Sequence, residues 1–332
     1  MLVLLTVACG RERPTFEPLP DPTGRVAVES TPAGARIELD GVDTGLLTPQ
    51  TFEGLRVGRH VVRLSLDGFA VSPESLVVDV DATTLAAANF TLVEVQQAPV
   101  KVVLLESFSN ASCVGCPENS QVIDALMHTE GYGRDRLVSI KFSMSWPLPT
   151  DPHHLDRKSY NDDRAFYYQQ TALNVGIPTV VLDGALAGAS GSPPGLEDLR
   201  SGVDLLLAAD PGFAVEIEAD TGASPFDATV TLRAVRDIDL SDCVLRVALV
   251  EDTATHASAP GNQGETEFHW PLRDLAVVAD LPAVLAADSP LLRTVSLARN
   301  SVDWTEGALH VVAFVQRETD LSILQSGSTS GP

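Results

Sequence analysis

The sequence predicts a multidomain protein with three folded parts: an N-terminal all-β sandwich, a central α/β part and a C-terminal all-β sandwich. A chain of 332 residues is too long for one comfortable hydrophobic core. Apolar and polar residues alternate with a period of two in residues 25–95 and again after residue 212, which is typical of half-buried strands. Between residues 101 and 208, strand patterns alternate with helix patterns, which indicates an α/β layer structure.

The chain begins with an apolar run that ends at Cys9. The segment Thr6-Val7-Ala8-Cys9-Gly10 resembles the lipobox of bacterial lipoproteins, which implies that Cys9 carries the lipid. We expect residues 1–8 to be a truncated signal peptide, its positively charged start missing because the start codon is assigned too far downstream. Residues 9–23, rich in Pro and charge, then form a lipidated tether. The alternative is a frayed apolar N-terminus with an unmodified Cys.

The first all-β part spans residues 24–95, where turn pairs such as Asp40-Gly41 and Asp67-Gly68 separate alternating segments. A series of turn residues recurs in a specific order and spacing: Ser30-Thr-Pro32-Ala-Gly34-Ala35, Leu39-Asp40-Gly41, Gly45, Thr48-Pro49, Gly58-Arg-His60 and Gly68-Phe69. Through these residues the segment resembles a PEGA domain, a β module of surface and envelope proteins with no known catalytic residues. The resemblance implies a spacer or interaction role.

The central part spans residues 99–210 and contains the motif Cys113-Val-Gly-Cys116-Pro117 directly after a Val/Leu strand. Two cysteines three residues apart at the start of a helix can close a small disulfide ring. Unpaired backbone N–H groups and the helix dipole there favour negative charge, and such sites lower a thiol pKa from ~8.5 to ~3.5–7.5. We therefore predict Cys113 as an attacking nucleophile and Cys116 as the thiol that resolves the mixed disulfide.

A zinc site is the main alternative for this motif, but zinc needs four ligands, commonly from a second Cys pair or a His pair at close spacing. Beyond Cys9, the one further cysteine is Cys243, isolated on a predicted strand. His153 and His154 are adjacent in sequence, so they cannot easily both reach one metal ion. The sequence therefore predicts no metal and no cofactor.

Residues 100–208 resemble the thioredoxin superfamily through the strand before the motif, Pro117, and Ile177-Pro178-Thr179 before a Val-Val-Leu strand. Carried over by position, the resemblance implies that Pro178 is a cis-proline that faces the two cysteines. Thioredoxins usually have Trp before the first Cys and an acidic residue six positions before it. Ser112 and Ser107 occupy these positions, so the redox potential is not predicted.

The second all-β part spans residues 211–325, and we expect a disordered tail over residues 326–332. Five segments of the downstream half form a further pattern: Glu106-Ser-Phe108, Cys113 to Pro117, Val250-Glu251-Asp252, His269-Trp-Pro-Leu-Arg273 and Ala313-Phe-Val-Gln316. Through these segments the downstream half resembles a family of bacterial outer-membrane proteins in which a thioredoxin-like module precedes a β-domain. This resemblance implies architecture and envelope location more than a reaction.

Three further groups have both a functional and a structural interpretation. Cys243 shares a predicted strand face with apolar residues and is interpreted as a buried core thiol rather than a third redox centre. His269-Trp270 could anchor a partner or lie at an ordinary strand edge. The third group could form a substrate groove, or it could belong to a solvated loop and a helix packing face. It consists of His153, His154, Tyr160, Tyr167 and Tyr168.

A net charge of −23 excludes nucleic acid as a partner, because a polyanion would be repelled. Two functions remain. The first is an envelope lipoprotein that acts as a thiol–disulfide oxidoreductase on exported proteins or on a redox partner protein. The second is a surface lipoprotein for binding or assembly, in which the Cys113–Cys116 disulfide is merely structural.

Overall fold

Two units follow one another along the chain, Met1–Gln97 and Ala98–Pro332. The structure is a computed structural model. It describes residues 21–95, 98–129, 131–169, 176–192, 194–222, 224–287, 289–298 and 308–329. The predicted signal peptide and the predicted lipidation site Cys9 lie outside these residues.

The first unit is an all-β sandwich, as predicted. Its sheets have the strand orders β4-β1-β8-β6 and β3-β2-β5-β7, and every pairing is antiparallel except the parallel pair β1–β8. Every second residue of the central strands, such as Val26 and Val28, is buried in the core between the sheets. The strands are β1 Thr23–Thr31, β2 Arg36–Leu39, β3 Val42–Leu47, β4 Gln50–Arg56, β5 Gly58–Ser65, β6 Phe69–Ser72, β7 Leu76–Val80 and β8 Leu85–Glu94.

The predicted turn at Asp40-Gly41 connects β2 to β3 as a two-residue hairpin loop. Asp40 has φ 52° and Gly41 has φ 82°. Two consecutive residues with positive φ are required by the hairpin turn whose twist matches the flanking strands, and Asp-Gly is a favoured pair for it. The Asp40 carboxylate also accepts a hydrogen bond from the backbone N–H of Val61, 2.8 Å away, which ties the turn to β5.

The second unit begins with a four-stranded sheet of order β10-β9-β11-β12, in which β9 and β10 are parallel and the other pairs antiparallel. Its strands are β9 Val103–Ser109, β10 Leu137–Ser143, β11 Thr179–Leu182 and β12 Ala185–Ala187. The helices are α1 Cys116–Asp124, α2 Pro152–Asp156, α3 Lys158–Gln169 and α4 Leu196–Leu207, and α1 continues into a π-helical turn, Ala125–Thr129.

Helix α2 lies in the Pro- and His-containing segment between β10 and α3. Its N-terminus is capped by Asp151, whose Oδ1 accepts hydrogen bonds from the backbone N–H groups of His153 at 2.8 Å and His154 at 3.2 Å. Pro152 follows the cap at the first helical position, where a missing N–H costs nothing. The cap and the proline together start the helix.

The C-terminal strands form a sheet of order β13-β14-β21, a sheet of order β19-β16-β22-β23 and the two-stranded pairs β15-β20 and β17-β18. They are β13 Phe213–Ala219, β14 Phe226–Ala234, β15 Ile238–Asp239, β16 Cys243–Glu251, β17 Thr253–Thr255, β18 Glu267–His269, β19 Leu272–Val278, β20 Val284–Leu285, β21 Leu291–Leu297, β22 Leu309–Arg317 and β23 Ile323–Ser328. The chain is therefore mostly β in both units. In the described part of the chain, no helix is both long and apolar enough to cross a membrane.

The β19-β16-β22-β23 sheet is buried on both faces. On one face, residues such as Leu245 and Val247 share a core with the β13-β14-β21 sheet. On the other face, Ala248 and Phe314 share a core with Phe108 of β9. The sequence placed a domain boundary near residue 211, but the packing is continuous across this position.

A buried ion pair lies in this shared core. Glu106 on β9 and Arg164 on α3 form two hydrogen bonds, of 2.6 and 2.9 Å, and both side chains are almost completely buried. Tyr168 donates to the same carboxylate, and Arg164 donates to Gln316 of β22 at 2.8 Å. The pair thus links the first sheet of the unit to the last.

The expected disordered tail is wrong for Ser326 and Ser328, which belong to β23. Their Gly- and Ser-rich sequence lacks an apolar pattern, yet Ser326 is buried and its hydroxyl donates to the carbonyl of Val102 at 2.7 Å. Gln325 accepts from the N–H of Val102 at 2.9 Å. Polar side chains here satisfy the backbone that precedes β9.

We predict that Arg164→Met lowers the free energy of unfolding of the second unit by about 3–5 kcal/mol, because it leaves the Glu106 carboxylate buried and unpaired. Urea unfolding followed by Trp fluorescence measures this, since all 3 tryptophans follow residue 97. Arg233→Met is the matched control. Arg233 pairs with Glu216 at 2.8 Å where both side chains are half exposed, so a loss of at most about 1 kcal/mol is expected. Equal losses in both variants would contradict the assignment.

Candidate functional site

The predicted disulfide between Cys113 and Cys116 is present, in the turn that joins β9 to α1. The two Cα atoms are 5.3 Å apart. The backbone N–H of Cys116 donates to the carbonyl of Cys113 at 3.3 Å. Helix α1 begins at Cys116, and its N-cap residue Gly115 has no side chain to cap the N–H groups of the first turn. These N–H groups favour negative charge beside the sulfurs.

Access to the disulfide is narrow. Cys113 is 5% exposed and Cys116 is fully buried, whereas Val114 between them is 82% exposed. Gly115 is exposed as well. A molecule that approaches the disulfide therefore meets the Val114–Gly115 edge first, and of the two cysteines only Cys113 has any exposure.

Pro178 lies against this exposed edge. The Ile177–Pro178 peptide bond is cis, and β11 begins at the next residue. A Cβ built on Gly115 would lie 3.5 Å from Cδ of Pro178, which is van der Waals contact. The structure thus brings Cys113, Cys116 and Pro178 together.

Asp151 holds the turn before Cys113 in place. Its Oδ2 accepts the backbone N–H of Ala111 at 2.7 Å, while its Oδ1 caps α2. The Asp151 side chain is buried, so these bonds are sheltered from water. The carboxylate therefore couples the position of α2 to the position of the disulfide turn.

Asn110 fixes the same turn from the other side. Its Oδ1 accepts the N–H of Ser112 at 2.8 Å, and its amide donates to the carbonyls of Met144 at 2.7 Å and Leu148 at 3.0 Å. The backbone N–H of Cys113 donates to the Asn110 carbonyl at 3.0 Å. The segment that carries Cys113 is therefore held by buried polar contacts.

Residues 256–266, which connect β17 to β18, cover the disulfide turn; we call them the cover loop. A Cβ built on Gly261 would lie 1.9 Å from the carbonyl oxygen of Ala111 and 2.9 Å from the N of Ser112. Ala111 also packs with Ala254 of β17 and Phe268 of β18. The C-terminal half of the unit thus limits access to Cys113.

Lys141 of β10 is buried behind α1. Its Nζ donates to the hydroxyl of Ser120 at 3.1 Å, one helical turn after Cys116, and lies 5.4 Å from the centre of the Phe268 ring. Burial lowers the pKa of Lys141, while Glu265, Asp151 and Asp124 oppose this shift. A buried cation beside the helix that carries Cys116 adds positive potential to this region.

The nearest acidic residue before the motif, Glu106, does not serve the disulfide. Its carboxylate is held by Arg164 and Tyr168 in the core described above. Ser107 lies beside Lys141 in the register of β9 and β10. Thioredoxins have an acidic residue at the position of Ser107. Here the buried ionisable side chain near that position is Lys141, on the adjacent strand.

The remaining predicted residues lie elsewhere. Cys243 is a buried free thiol whose pKa is raised by burial, in agreement with the interpretation as a core residue. His154 bonds Asp162 at 2.8 Å, and His153 faces the cover loop. Tyr167 and Tyr168 pack on Arg164 rather than beside the disulfide. His269 and Trp270 lie at the end of β18, with His269 Nε2 3.5 Å from the Asp124 carboxylate.

Sequence reasoning missed Asp151, Lys141, His256 and Gly261. The first could have been found from the helix-capping pattern Asp-Pro, but the other three acquire their roles through contacts with distant segments. No group of three or more potential metal ligands occurs in the residues that the structure describes. A groove of about 430 Å³ separates α1 from the cover loop, with Pro117, Asp124 and Glu265 among its walls.

We predict that Gly261→Ala destabilises the second unit by about 1–3 kcal/mol, because the new methyl group must displace the Ala111 backbone or the cover loop. The same displacement should make dithiothreitol reduce the disulfide faster at pH 7. Alkylation and mass spectrometry would measure the rate. Gly195→Ala is the control, because nothing lies within 4 Å of its new Cβ. A Gly261→Ala protein with unchanged stability and rate would contradict the close approach.

We predict that Lys141→Met raises the free energy of unfolding at pH 7 by about 1–3 kcal/mol, since burying an ammonium ion is costly. The pKa of Lys141 is lowered in the folded state, so the unfolded chain binds more protons between that pKa and 10.5. The free energy of unfolding of the wild type therefore increases relative to that of the variant as the pH rises through this window. Urea titrations at several pH values measure the difference, and a difference that stays constant with pH would contradict the burial cost.

The PEGA domain model matches residues 23–96. Among solved structures, HBP35 of Porphyromonas gingivalis is similar with a TM-score of 0.51 and 17% identity over 70% of this chain and 75% of its own. Protein AGR_C_4864 from Agrobacterium tumefaciens has a TM-score of 0.49 and 16% identity over 71% of this chain and 96% of its own.

A domain of the outer membrane lipoprotein Omp28 from Porphyromonas gingivalis has a TM-score of 0.24 and 13% identity over 36% of this chain and 87% of its own. No curated protein matches the sequence. The likeness to HBP35 shows a similar fold and nothing about activity. The PEGA match agrees with the two-sheet sandwich of the first unit, and residues 23–96 are a PEGA domain.

Proposed function

We propose that residues 99–210 form a thioredoxin-like module and that the protein is an envelope lipoprotein, anchored through Cys9, which exchanges disulfides with exported proteins. The observation that carries the reaction is the Cys113–Cys116 disulfide at the N-terminus of α1, with cis-Pro178 against its exposed edge. The parallel pair β9–β10, the antiparallel β11 after the cis-proline, and the flanking helices support the fold. The PEGA domain and the lipobox-like segment support the envelope location.

In the reduced protein, the Cys113 thiolate attacks one sulfur of a substrate disulfide. A Cys113–substrate disulfide forms, and the other substrate sulfur leaves as a thiolate that takes a proton from water. The Cys116 thiolate then attacks the Cys113 sulfur and expels the second substrate thiolate. Two electrons pass to the substrate, which is reduced, while Cys113 and Cys116 are oxidised to the disulfide.

Cys113 is the attacking residue because, of the two cysteines, it alone is not fully buried. The first-turn N–H groups of α1 favour its thiolate, and the backbone beside Pro178 can align an extended polypeptide along the Val114–Gly115 edge. The reverse sequence of steps would oxidise a dithiol substrate. The potential of the couple decides between the two directions.

The second candidate is a binding or assembly lipoprotein with a structural disulfide. The low exposure of Cys113 and the close contact of Gly261 with Ala111 favour it. In that case the β sandwiches would carry the function, and the disulfide would only close the turn before α1.

Equilibration with glutathione buffers separates the two candidates. We expect a reversible couple between about −120 and −270 mV for an exchanging disulfide, and a potential below about −300 mV for a structural one. Insulin reduction in the presence of dithiothreitol tests turnover.

We predict that Cys116→Ser, incubated with an extended peptide that contains a disulfide, accumulates mixed disulfides between Cys113 and the peptide, because the resolving thiol is absent. Non-reducing gels and peptide mass mapping measure this. Cys243→Ser is the matched control, since Cys243 is buried away from the motif and its loss should leave the potential and insulin reduction unchanged. A Cys116→Ser protein without adducts, together with a potential below about −300 mV, would rule out the exchange reaction.

A further inference from the structure

His153 of α2 and His256 of the cover loop face each other. Their Nε2 atoms are 3.1 Å apart, and the ring centres are 5.0 Å apart. The ring of Phe268 lies 4.8 Å from His153 and 5.6 Å from His256, so it covers both. The backbone N–H of His256 donates to the backbone carbonyl of Thr266 at 2.8 Å, which closes the base of the cover loop.

The two imidazoles therefore form a side-chain hydrogen bond that links the cover loop to the segment that positions Cys113. On one side, α2 is capped by Asp151, which also holds the N–H of Ala111. On the other side, Gly261 of the cover loop lies directly against Ala111. Moving the cover loop away from α2 would remove the contact that buries the turn before Cys113.

Two facing Nε2 atoms can share a hydrogen bond only while one of them lacks a proton. With both rings neutral, or with one ring protonated, one Nε2–H donates to the lone pair of the other. With both rings protonated, two N–H groups and two positive charges face each other at 3.1 Å. The second proton therefore breaks the link.

The surrounding charges determine where this happens. Burial lowers the pKa of His153 well below 6.5, and Arg273, His256 and Lys141 lower it further. Arg273 is itself paired with Glu251 and with Asp156. The charged groups that act on His153 are Arg273 from β19 and Lys141 from β10. The carboxylates of Asp151, Glu265 of the cover loop and Asp124 act on Lys141 in turn. The second protonation is thus confined to acid pH.

We propose that His153 and His256 are positioning residues for the redox disulfide: they hold the cover loop closed over the Cys113 turn, and protonation of both imidazoles opens it. This deepens the proposed exchange function by making access to Cys113 dependent on external pH. The opening itself concerns only the exposure of a disulfide, so it can be measured without any assumption about turnover.

The test is the rate at which a water-soluble phosphine reduces the disulfide of the full-length oxidised protein. The phosphine takes up oxygen from water to form its oxide as the disulfide becomes two thiols, and no protein thiolate is needed at the start. Rates between about pH 7 and pH 4 are divided by those for oxidised glutathione, an exposed reference disulfide, which removes the pH dependence of the phosphine. Peptide mapping assigns the new thiols to Cys113 and Cys116.

In the wild type, we expect the normalised rate to rise roughly tenfold from pH 7 to pH 4, the equivalent of losing one hydrogen bond and gaining a repulsion. In His256→Gln, the glutamine side chain keeps a donor and an acceptor but has no ionisable group. The normalised rate of this variant should therefore stay low and should not change with pH. His256→Ala lacks the hydrogen bond and should be fast at both pH values. His60→Gln, a control in the PEGA domain, should keep the wild-type profile.

The proposal is overturned if the wild type and His256→Gln have the same profile, if His256→Ala is no faster at pH 7, or if His60→Gln also flattens the rise. It is equally overturned if Cys243, a buried thiol of the C-terminal sandwich, reacts with a dipyridyl disulfide at pH 4, because the rise would then reflect general unfolding.

The exchange function fails separately. If the potential lies in the range given above for a structural disulfide and the pH profiles are as predicted, the closure by the cover loop stands and the exchange function is rejected. A potential in the exchanging range with a flat wild-type profile would do the reverse.

Discussion

The second unit depends on the burial of the β19-β16-β22-β23 sheet on both of its faces. One face packs against the β13-β14-β21 sheet, and the other packs against the sheet and helices that carry the disulfide. Strands β16 and β22 accordingly are almost continuously buried. A sheet of this kind cannot be exposed on either side without presenting a large apolar surface to water. The disulfide region and the C-terminal sandwich are therefore one folding unit.

This shared core also explains why several charged residues inside it are paired. A charge between two layers is far from water, so it must find its partner inside the core. Arg164 on α3 bonds Glu106 of the first sheet and Gln316 of the last, and Lys101 bonds Asp183 at 2.6 Å. Lys101 also donates to the carbonyl of Ile323 at 3.2 Å. These contacts specify how the layers align, which apolar packing alone does not.

The features that sequence could predict are those encoded locally. Period-two alternation identified the two all-β parts, and Cys113 with Cys116 predicted both the disulfide and the start of α1. The apolar runs at residues 245–250 and 309–315 also contained evidence for two-sided burial, since strands buried on both faces lack alternation. The cover loop could not be predicted, because its polar sequence is typical of a solvated loop. Gly261 and His256 acquire their roles only when residues more than 100 positions away pack against them.

The closed cover loop has a quantitative consequence for any reaction at Cys113. A partner that needs the open form reacts only with the open fraction, so its apparent rate falls by that fraction. Opening breaks one hydrogen bond between His153 and His256 and separates a small apolar cluster around Ala111, which together cost about 1–3 kcal/mol. Between roughly 0.5% and 15% of molecules would then be open at neutral pH. A disulfide that is accessible in so small a fraction of molecules is protected from reductants that do not bind the protein. A partner whose binding energy exceeds the cost of opening can still reach it. Selectivity therefore comes from the partner's contacts with the open form.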